Sequence, residues 1–202
     1  MNSLSKMLLD IKAIKLSPSQ PFTWASGALS PIYCDNRITL SYPEVRKAIC
    51  DGFVSMIQSQ YPDVAAIAGV ATGGIAHGML VADRMNLPFA YVRDKPKQHG
   101  RQNTIEGFLE KGKKVVVVED LISTGGSSLK AVESLREYGV EVVGLVAIFT
   151  YNFQKSIDAF ASAQCPFHTI TSFKELLELL ETSDQFSSHE VNEMKTWYQN
   201  FK

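Results

Sequence analysis

Residues 115–128 have the sequence VVVVEDLISTGGSS, an apolar run that ends in two adjacent carboxylates and a Ser/Thr/Gly segment. Four successive valines are typical of a strand that is buried on both faces, as in a parallel sheet. The two glycines favour a tight turn, and a helical pattern of apolar residues begins directly after them. The stretch therefore predicts a strand, a turn and a helix in an α/β fold.

The turn after this strand has the composition of an anion-binding site. Ligands of open α/β sheets bind beyond the carboxyl ends of the strands, and backbone N–H groups at a helix N-terminus attract phosphate. Ser123, Thr124 and Ser127 add hydroxyl donors. No lysine follows the glycines, so the segment is not a Walker loop, and it also lacks the G-x-G-x-x-G pattern.

The carboxylates of Glu119 and Asp120 would repel a neighbouring phosphate unless they bind hydroxyls or a metal ion of the same ligand. A phosphorylated sugar is therefore the predicted ligand. The alternative is an ordinary strand-turn-helix unit with an N-capping serine, in which the acidic pair has no ligand.

Other segments extend this unit into a sheet. Strands are predicted at residues 64–70, 88–93, 114–119 and 142–149, and helices at 42–59, 75–85 and 127–138. Gly139 is the expected C-cap of the last of these helices. The alternation of strands and helices predicts a mostly parallel, twisted sheet that is flanked by helices.

Two appendages lie outside the predicted core. The N-terminal one has an amphipathic helix at residues 4–11 and a hairpin within 22–36, and the C-terminal one has helices at 172–181 and 188–201. We therefore expect a single domain, residues 1–202, divided into an N-terminal helix and hood (1–40), an α/β core (41–170) and C-terminal helices (171–202).

Residues 64–82 contain no Asp, Glu, Lys or Arg, and their length approaches that of a membrane span. Gly69, Gly73, Gly74 and Gly78 fall within this stretch. Glycines at such close spacing favour a turn between a buried strand and a helix, where the backbone approaches a ligand. We therefore expect no membrane segment here.

The 20 basic and 21 acidic residues give a net charge of -1, so we expect no general attraction to nucleic acid or to an anionic membrane. Any binding of phosphate must come from a local cluster. Residues 93–101 hold four cations, one histidine and one carboxylate, and Pro96 and Gly100 make this segment a loop. It can serve as a lid over a pyrophosphate group, or simply be a solvated surface loop.

The cysteines at positions 34, 50 and 165 are odd in number, and their spacing fits neither a zinc site nor a redox pair. They predict reduced thiols and a cytoplasmic protein. His77 follows the glycine-rich turn on a predicted helix, and we expect it to be packed or capping rather than catalytic.

Residues 119–127 resemble the phosphoribosyl diphosphate (PRPP) motif of the type I phosphoribosyltransferases. Three further segments narrow the resemblance to the orotate phosphoribosyltransferases. Arg93, Lys97, His99 and Gly100, followed by IEG at 105–107, are similar to their catalytic loop. FTWASG at 22–27 with SPIY at 30–33 resembles their F-x-x-x-S-G-x-x-S-P segment, and GVATGG at 69–74 resembles their pyrophosphate-binding turn.

The resemblance implies a type I phosphoribosyltransferase fold with a small N-terminal hood, and the transfer of phosphoribose from PRPP to orotate. The implied catalytic residues are Arg93, Lys97, His99 and Asp120. The implied PRPP-binding residues are Thr72, Gly73, Arg93, Lys97, His99, Glu119, Asp120, Leu121, Ile122, Ser123, Thr124, Gly125, Gly126 and Ser127. The implied orotate-binding residues are Ser26, Ile32, Tyr33 and Ser123.

By the same resemblance Mg²⁺ is the cofactor, held mainly through PRPP with Glu119 and Asp120 nearby. The implied assembly is a homodimer in which the catalytic loop reaches into the neighbouring active site, with no nucleic-acid or membrane partner.

The chain departs from the family pattern at three positions. Ala25 stands where one branch of the family carries a lysine, and residues 150–153 lack an arginine that often meets the orotate carboxylate. Asp94 stands where many relatives carry a basic residue. We therefore expect orotate recognition to depend on Ser123 and on backbone groups of residues 26–33.

Two other functions share part of the pattern. A phosphoribosyltransferase for a purine or another base would keep the PRPP loop, but the segment at 26–33 and the Lys97/His99 loop favour orotate. A regulator that senses PRPP without catalysis would need a nucleic-acid surface, and neither a recognition helix nor a basic face is evident in the sequence.

Overall fold

The computed structural model describes residues 3–24, 26–94, 104–183 and 185–201. The N-terminal segment consists of α1 (Leu4–Asp10), β1 (Ile14–Leu16), β2 (Phe22–Thr23), β3 (Leu29–Ser30), β4 (Ile32–Cys34) and a 3-10 helix (Asn36–Ser41). The predicted hairpin is confirmed, because β2 pairs antiparallel with β3. The pairing of β1 with β4 was not predicted, since strands of three residues are too short to show a periodicity.

The rest of the chain forms the core and the C-terminal helices. In order, its elements are α2 (Pro43–Gln60), β5 (Ala66–Val70), α3 (Gly73–Met85), β6 (Phe89–Val92), β7 (Ile105–Gly107), β8 (Lys114–Ile122), α4 (Gly126–Tyr138), β9 (Glu141–Thr150), α5 (Gln154–Ser162), β10 (Phe167–Ser172), α6 (Phe173–Glu181) and α7 (Ser188–Asn200). Each predicted strand and helix is present, with ends that differ by a few residues.

Strands β5 to β10 form a six-stranded sheet in the order β10-β9-β8-β5-β6-β7. Neighbouring strands are parallel except for β6 and β7. The predicted α/β class with a mostly parallel sheet is confirmed. Strands β7 and β10 and helix α5 were not predicted from the sequence, because the two edge strands and this helix bury few of their residues.

The sheet separates two hydrophobic cores, and β8 contributes to both. Val116 and Val118 pack with residues of α2, α3 and α6, whereas Val115 and Val117 pack with residues of α4 and α5. Because side chains alternate between the faces of a strand, a run of four valines fills both cores at once. The same alternation sends the two carboxylates that follow to opposite sides of the sheet.

Residues 66–70 of the uncharged stretch form a strand, and the helix that follows starts at Gly73. Among the described residues, no helix is long and apolar enough to cross a membrane. The helix starts two residues earlier than predicted, since Gly73 and Gly74 belong to its first turn and not to the turn before it.

Gly144 on β9 lies beneath Tyr61, which follows α2 and is buried. A Cβ atom at position 144 would overlap the Tyr61 hydroxyl group. The ring of Tyr61 also packs edge-on against His168, with the ring centroids 5.9 Å apart. The close approach of α2 to the sheet at this point therefore depends on glycine.

We predict that Gly144→Ala lowers the free energy of unfolding by about 1–3 kcal/mol, because a buried ring must shift to admit the methyl group. Urea denaturation followed by circular dichroism measures this change. Gly126→Ala is the matched control, since a Cβ there meets no atom within 4 Å. Equal stabilities of the two variants would contradict the prediction.

Candidate active site

Two adjoining pockets open at the carboxyl ends of the central strands. The first, here called the polar pocket, has a volume of about 390 Å³ and is lined by Cys34, Asp35, Arg37, Ala71, Thr72, Gly73, Glu119, Asp120, Leu121, Ser123 and Ser127. The second, here called the aromatic pocket, has a volume of about 440 Å³ and is lined by Thr23, Trp24, Ser26, Tyr33, Cys34, Leu121, Ser123 and Tyr151. Cys34, Leu121 and Ser123 belong to both walls, so the pockets are continuous.

The turn between β8 and α4 forms one end of the polar pocket. Gly125 has φ +82°, and a Cβ there would lie 2.8 Å from the Phe160 ring, so both conformation and space require glycine. Gly125 is the N-cap of α4, and no side chain of the described residues caps this helix. Its first N–H groups are therefore available to an anion.

Glu119 is buried against α4, the helix on its side of the sheet. Its carboxylate accepts hydrogen bonds from the Asp120 backbone N–H and from the Ser128 hydroxyl, both at 3.0 Å. Burial, reinforced by the charge of Asp120, raises the pKa of Glu119 well above its ordinary value. The protein itself thus engages both oxygens of a residue that was predicted to contact the ribose.

Asp120 points to the opposite side, toward α3, and is half-buried in the wall of the polar pocket. A Cβ at Gly73 would overlap the Asp120 carboxyl group, and one at Gly74 would overlap the Val118 carbonyl. The two glycines therefore let the N-terminus of α3 lie directly against the end of β8. Both members of the predicted acidic pair line the polar pocket, and Asp120 is the one whose carboxyl group lies against the start of α3.

A polar network of residues from the 3-10 helix and α3 holds the backbone of Asp120 in place. The Asn36 side-chain amide donates to the Asp120 carbonyl at 2.6 Å, and the Thr39 hydroxyl donates to the Asn36 carbonyl at 2.5 Å. Thr39 Oγ1 also lies 3.1 Å from His77 Nε2. Since the single hydroxyl proton of Thr39 is already donated, Nε2 of His77 carries the proton of this second hydrogen bond.

His77 is thus packed beneath the site, as predicted, and does not line either pocket. Its Nδ1 atom is buried without a hydrogen-bond partner among the described residues. Protonation of Nδ1 would bury an unsatisfied N–H group. Burial, with a smaller contribution from Arg46 and an opposing one from Asp120, lowers the pKa of His77 to about 4.

The aromatic pocket is built where the N-terminal hood meets the C-terminal helix. Trp24 donates its indole N–H to the Ile32 carbonyl at 3.1 Å, and its ring lies 5.1 Å from Tyr151 and 5.8 Å from Trp197, centroid to centroid. Trp197 of α7 in turn donates to the Leu29 carbonyl at 2.9 Å. Residues from both appendages therefore fix the shape of this pocket.

The predicted orotate-binding residues fall into two groups. Ser26, Tyr33 and Ser123 line the aromatic pocket. The Ile32 side chain is fully buried in the core, and its carbonyl accepts the Trp24 hydrogen bond. Ile122 is likewise a core residue rather than a wall of either pocket.

Arg93 directly follows β6 and lies next to the polar pocket. Its guanidinium lies 3.3 Å from the Glu106 carboxylate, and the side chain is about one-third exposed. Arg93 borders a small cleft with Ala71 and Ser127, both of which also line the polar pocket. Lys97 and His99 lie outside the described residues.

Sequence reasoning missed several residues of the site. Asp35 and Arg37 line the polar pocket, Trp24 and Tyr151 line the aromatic pocket, and Asn36 holds Asp120 in place. One signal in the sequence was available. Neighbouring residues of a strand face opposite sides of the sheet, so the two acidic residues at the end of β8 could have been predicted to have different environments.

Comparison with known proteins defines the class. Residues 44–175 match the family described as the phosphoribosyl transferase domain. This match covers the sheet, the glycine-rich turn and the loop after β8.

Similarity over the full chain narrows the assignment. The chain is 50% identical to the orotate phosphoribosyltransferase of Staphylococcus saprophyticus over 198 residues, which cover 98% of each protein. The structure of the orotate phosphoribosyltransferase from Aeropyrum pernix superposes with a TM-score of 0.79 and 29% identity, over 89% of this chain and 99% of that one. The chain belongs to the orotate phosphoribosyltransferase family.

A larger protein contains the same fold. The UMP synthase of Leishmania donovani superposes with a TM-score of 0.80 and 27% identity over 98% of this chain. The chain spans 42% of the length of that protein.

The low pKa of His77 gives a prediction about acid stability. The unfolded chain binds a proton at this residue below about pH 6.5, whereas the folded protein does so only near pH 4. The stability that neutral His77 contributes is therefore fully present above pH 6.5 and is lost as the pH falls toward 4. The loss should reach about 3 kcal/mol in the wild type.

Denaturation at a series of pH values for the wild type and for His77→Gln measures this effect. Glutamine can keep a donor toward Thr39 and does not titrate, so the variant should lose less stability over the same interval. Glu119 titrates in both proteins, so its contribution cancels in the comparison. Identical pH dependences of the two proteins would rule out His77 as the source.

Proposed function

We propose that this protein transfers the 5-phosphoribosyl group of PRPP to orotate, which forms orotidine 5′-monophosphate and pyrophosphate in pyrimidine nucleotide synthesis. The observation that carries the proposal is the continuity of the polar and aromatic pockets through Cys34, Leu121 and Ser123. A phosphorylated sugar in the first pocket and a planar base in the second would meet at this shared wall. Membership of the orotate phosphoribosyltransferase family supports the same donor and acceptor.

The polar pocket offers a separate group to each part of PRPP. The free N–H groups of α4 and the hydroxyls of Ser123, Thr124 and Ser127 bind the 5-phosphate. The Asp120 carboxylate accepts hydrogen bonds from the ribose hydroxyls. Thr72 and Gly73, at the N-terminus of α3, lie beside Asp120 on the side where the pyrophosphate leaves.

Glu119 contributes mainly by holding this end of β8. Its hydrogen bonds to the Asp120 backbone and to Ser128 link the acidic pair to the start of α4. We infer that Asp120 makes the direct ribose contact and that Glu119 fixes the distance between the sugar subsite and the phosphate subsite.

The reaction exchanges one bond at C1 of the ribose for another. The bond from C1 to the pyrophosphate oxygen breaks with its electron pair on the leaving group. A ring nitrogen of orotate forms the new bond to C1, and the proton of that nitrogen passes to the pyrophosphate or to solvent. Positive charge develops on the sugar, and Asp120 stabilises it.

Cys34 does not act as a nucleophile, because burial and the charges of Asp120 and Asp35 raise the pKa of its thiol.

Mg²⁺ fits the site only as a partner of the substrate. No group of three or more His, Cys, Asp or Glu side chains that could hold a metal ion occurs in the described ranges. Asp120, with Glu119 behind it, would stand near an ion that takes most of its ligands from PRPP. Bound in this way, Mg²⁺ would offset the negative charge that grows on the pyrophosphate.

The aromatic pocket supplies a flat, partly apolar site for the base. The rings of Trp24 and Tyr151 form one wall, and Ser26 and Ser123 supply polar groups. Polar groups at fixed positions select among planar bases, because a base without the matching groups would leave them unpaired.

The remaining parts of the proposal rest on the family resemblance. Arg93, Lys97 and His99 close over the pyrophosphate and exclude water, which would compete as the acceptor. We propose that the active protein is a cytoplasmic homodimer in which this loop serves the neighbouring site.

A spectrophotometric assay tests the proposed function. We predict that orotate is consumed in the presence of PRPP and Mg²⁺, and that adenine, hypoxanthine and uracil are not. Turnover of a purine base instead of orotate would show that the aromatic pocket has been misassigned. Absence of turnover with every base, by a protein that still binds PRPP, would favour a regulator.

Hybrid dimers test the shared loop. Lys97→Ala should reduce turnover by about 10²-fold, because it removes a charge opposite the leaving group, and Asp120→Ala should also abolish most activity. If the loop acts across the interface, a mixture of the two variants contains dimers with one intact site and is more active than either parent. The control mixture of Asp120→Ala with the Lys97→Ala/Asp120→Ala double variant should recover nothing. No recovery in the first mixture would mean that each subunit acts alone.

A further inference from the structure

Arg37 is the one cation among the described residues that line the polar pocket. Three acidic residues, Asp35, Glu119 and Asp120, line the same pocket. A ligand with several phosphate groups needs cationic partners at such a surface. Arg37 is thus the positive charge that this wall presents to the ligand.

Asp35 holds the Arg37 side chain in a fixed orientation. Arg37 Nε donates to Asp35 Oδ1 at 2.7 Å, and Nη2 donates to Oδ2 at 2.9 Å. Asp35 Oδ1 also accepts the Arg37 backbone N–H at 3.2 Å, as the N-cap of the 3-10 helix. These bonds hold the pKa of Asp35 below its ordinary value, so it stays ionised. The pair therefore fixes both the backbone and the guanidinium of Arg37.

The pairing leaves donors of Arg37 available to a ligand. A guanidinium has five N–H groups, and Asp35 takes two of them. No residue in the described ranges accepts a hydrogen bond from the other three, and the side chain is 60% exposed. These three donors form a pre-oriented set that matches phosphate oxygens better than a flexible lysine would.

The position of Arg37 favours the pyrophosphate over the 5-phosphate. The 5-phosphate is bound by the turn at residues 123–127 in the function proposed above. Asn36, the residue before Arg37, donates to the Asp120 carbonyl at 2.6 Å, and the Asp120 carboxyl group lies against Gly73 at the start of α3. Arg37 therefore belongs to the Asp120 and Gly73 side of the pocket.

We propose that Arg37 binds the pyrophosphate group of PRPP, with Asp35 as the positioning residue that orients it. The inference rests on the proposed function and adds a contact from the N-terminal segment, which the sequence analysis connected only with the base. In this proposal the positive charge of Arg37 lines the polar pocket before the loop at residues 93–101 closes.

Binding of separate fragments tests this assignment. The probes are inorganic pyrophosphate with Mg²⁺, ribose 5-phosphate, and orotate, titrated by calorimetry into the wild type and its variants. Arg37→Gln should weaken pyrophosphate binding by about 10- to 100-fold, as expected for the loss of charged hydrogen bonds, and leave ribose 5-phosphate unchanged. In steady-state kinetics the KM for PRPP should rise while the KM for orotate stays constant.

Three further variants separate the roles. Arg37→Lys should restore only part of the affinity, because it keeps the charge and loses the planar set of donors. Asp35→Asn should give an intermediate loss, since Arg37 remains but is no longer held by an ion pair. Arg84→Gln is the matched control: Arg84 pairs with Asp51 at a similarly exposed site on α3, outside both pockets, and its loss should change no affinity.

Normal pyrophosphate binding by Arg37→Gln would overturn the proposal. So would a loss confined to orotate, which would place Arg37 at the base, or an equal loss for all three probes together with a lower melting temperature, which would indicate a structural role. In each of these cases the wild type would still form product from PRPP and orotate, so the proposed function would stand while the role of Arg37 would not. A wild type that forms no product from PRPP and orotate would instead contradict the proposed function.

Discussion

The close contact between the start of α3 and the end of β8 is the constraint on which this site depends. Gly73 and Gly74 have no Cβ atoms, so the helix backbone touches the Asp120 carboxyl group and the Val118 carbonyl directly. Any larger side chain at either position would push the helix away from the strand. Residues 71–73 and Asp120 would then no longer line one pocket. Here glycine matters because of close approach, and not because of a positive φ.

The geometry of the site also depends on β8, because successive side chains of this strand face two different layers of helices. Glu119 goes to the α4 side, where burial and the Ser128 hydroxyl hold it, and Asp120 goes to the α3 side, where its carboxyl group lies against Gly73. The buried network of Asn36, Thr39 and His77 then supports the Asp120 backbone from the opposite direction. Two adjacent carboxylates thus have different environments, although they have the same chemistry in the unfolded chain.

The sequence was sufficient for the sheet and for one part of the site. The valine run, the acidic pair and the Ser/Thr/Gly turn are consecutive, so their spatial relation follows from local geometry alone. Asn36 and Asp120 are 84 positions apart, and no local pattern connects them. Asp35 and Arg37 follow a strand of three residues, where periodicity carries no information. Their place in the pocket depends on tertiary packing, and no local pattern in a single sequence predicts that packing.

The hydrogen bond from Trp197 to the Leu29 carbonyl joins residues 168 positions apart, and Trp197 also packs against Trp24 in the wall of the aromatic pocket. During synthesis on the ribosome, the hood emerges first and α7 emerges last of the described elements. The packing around the aromatic pocket therefore cannot be complete until α7 has been synthesised, whereas every residue that lines the polar pocket lies before α5 in the chain.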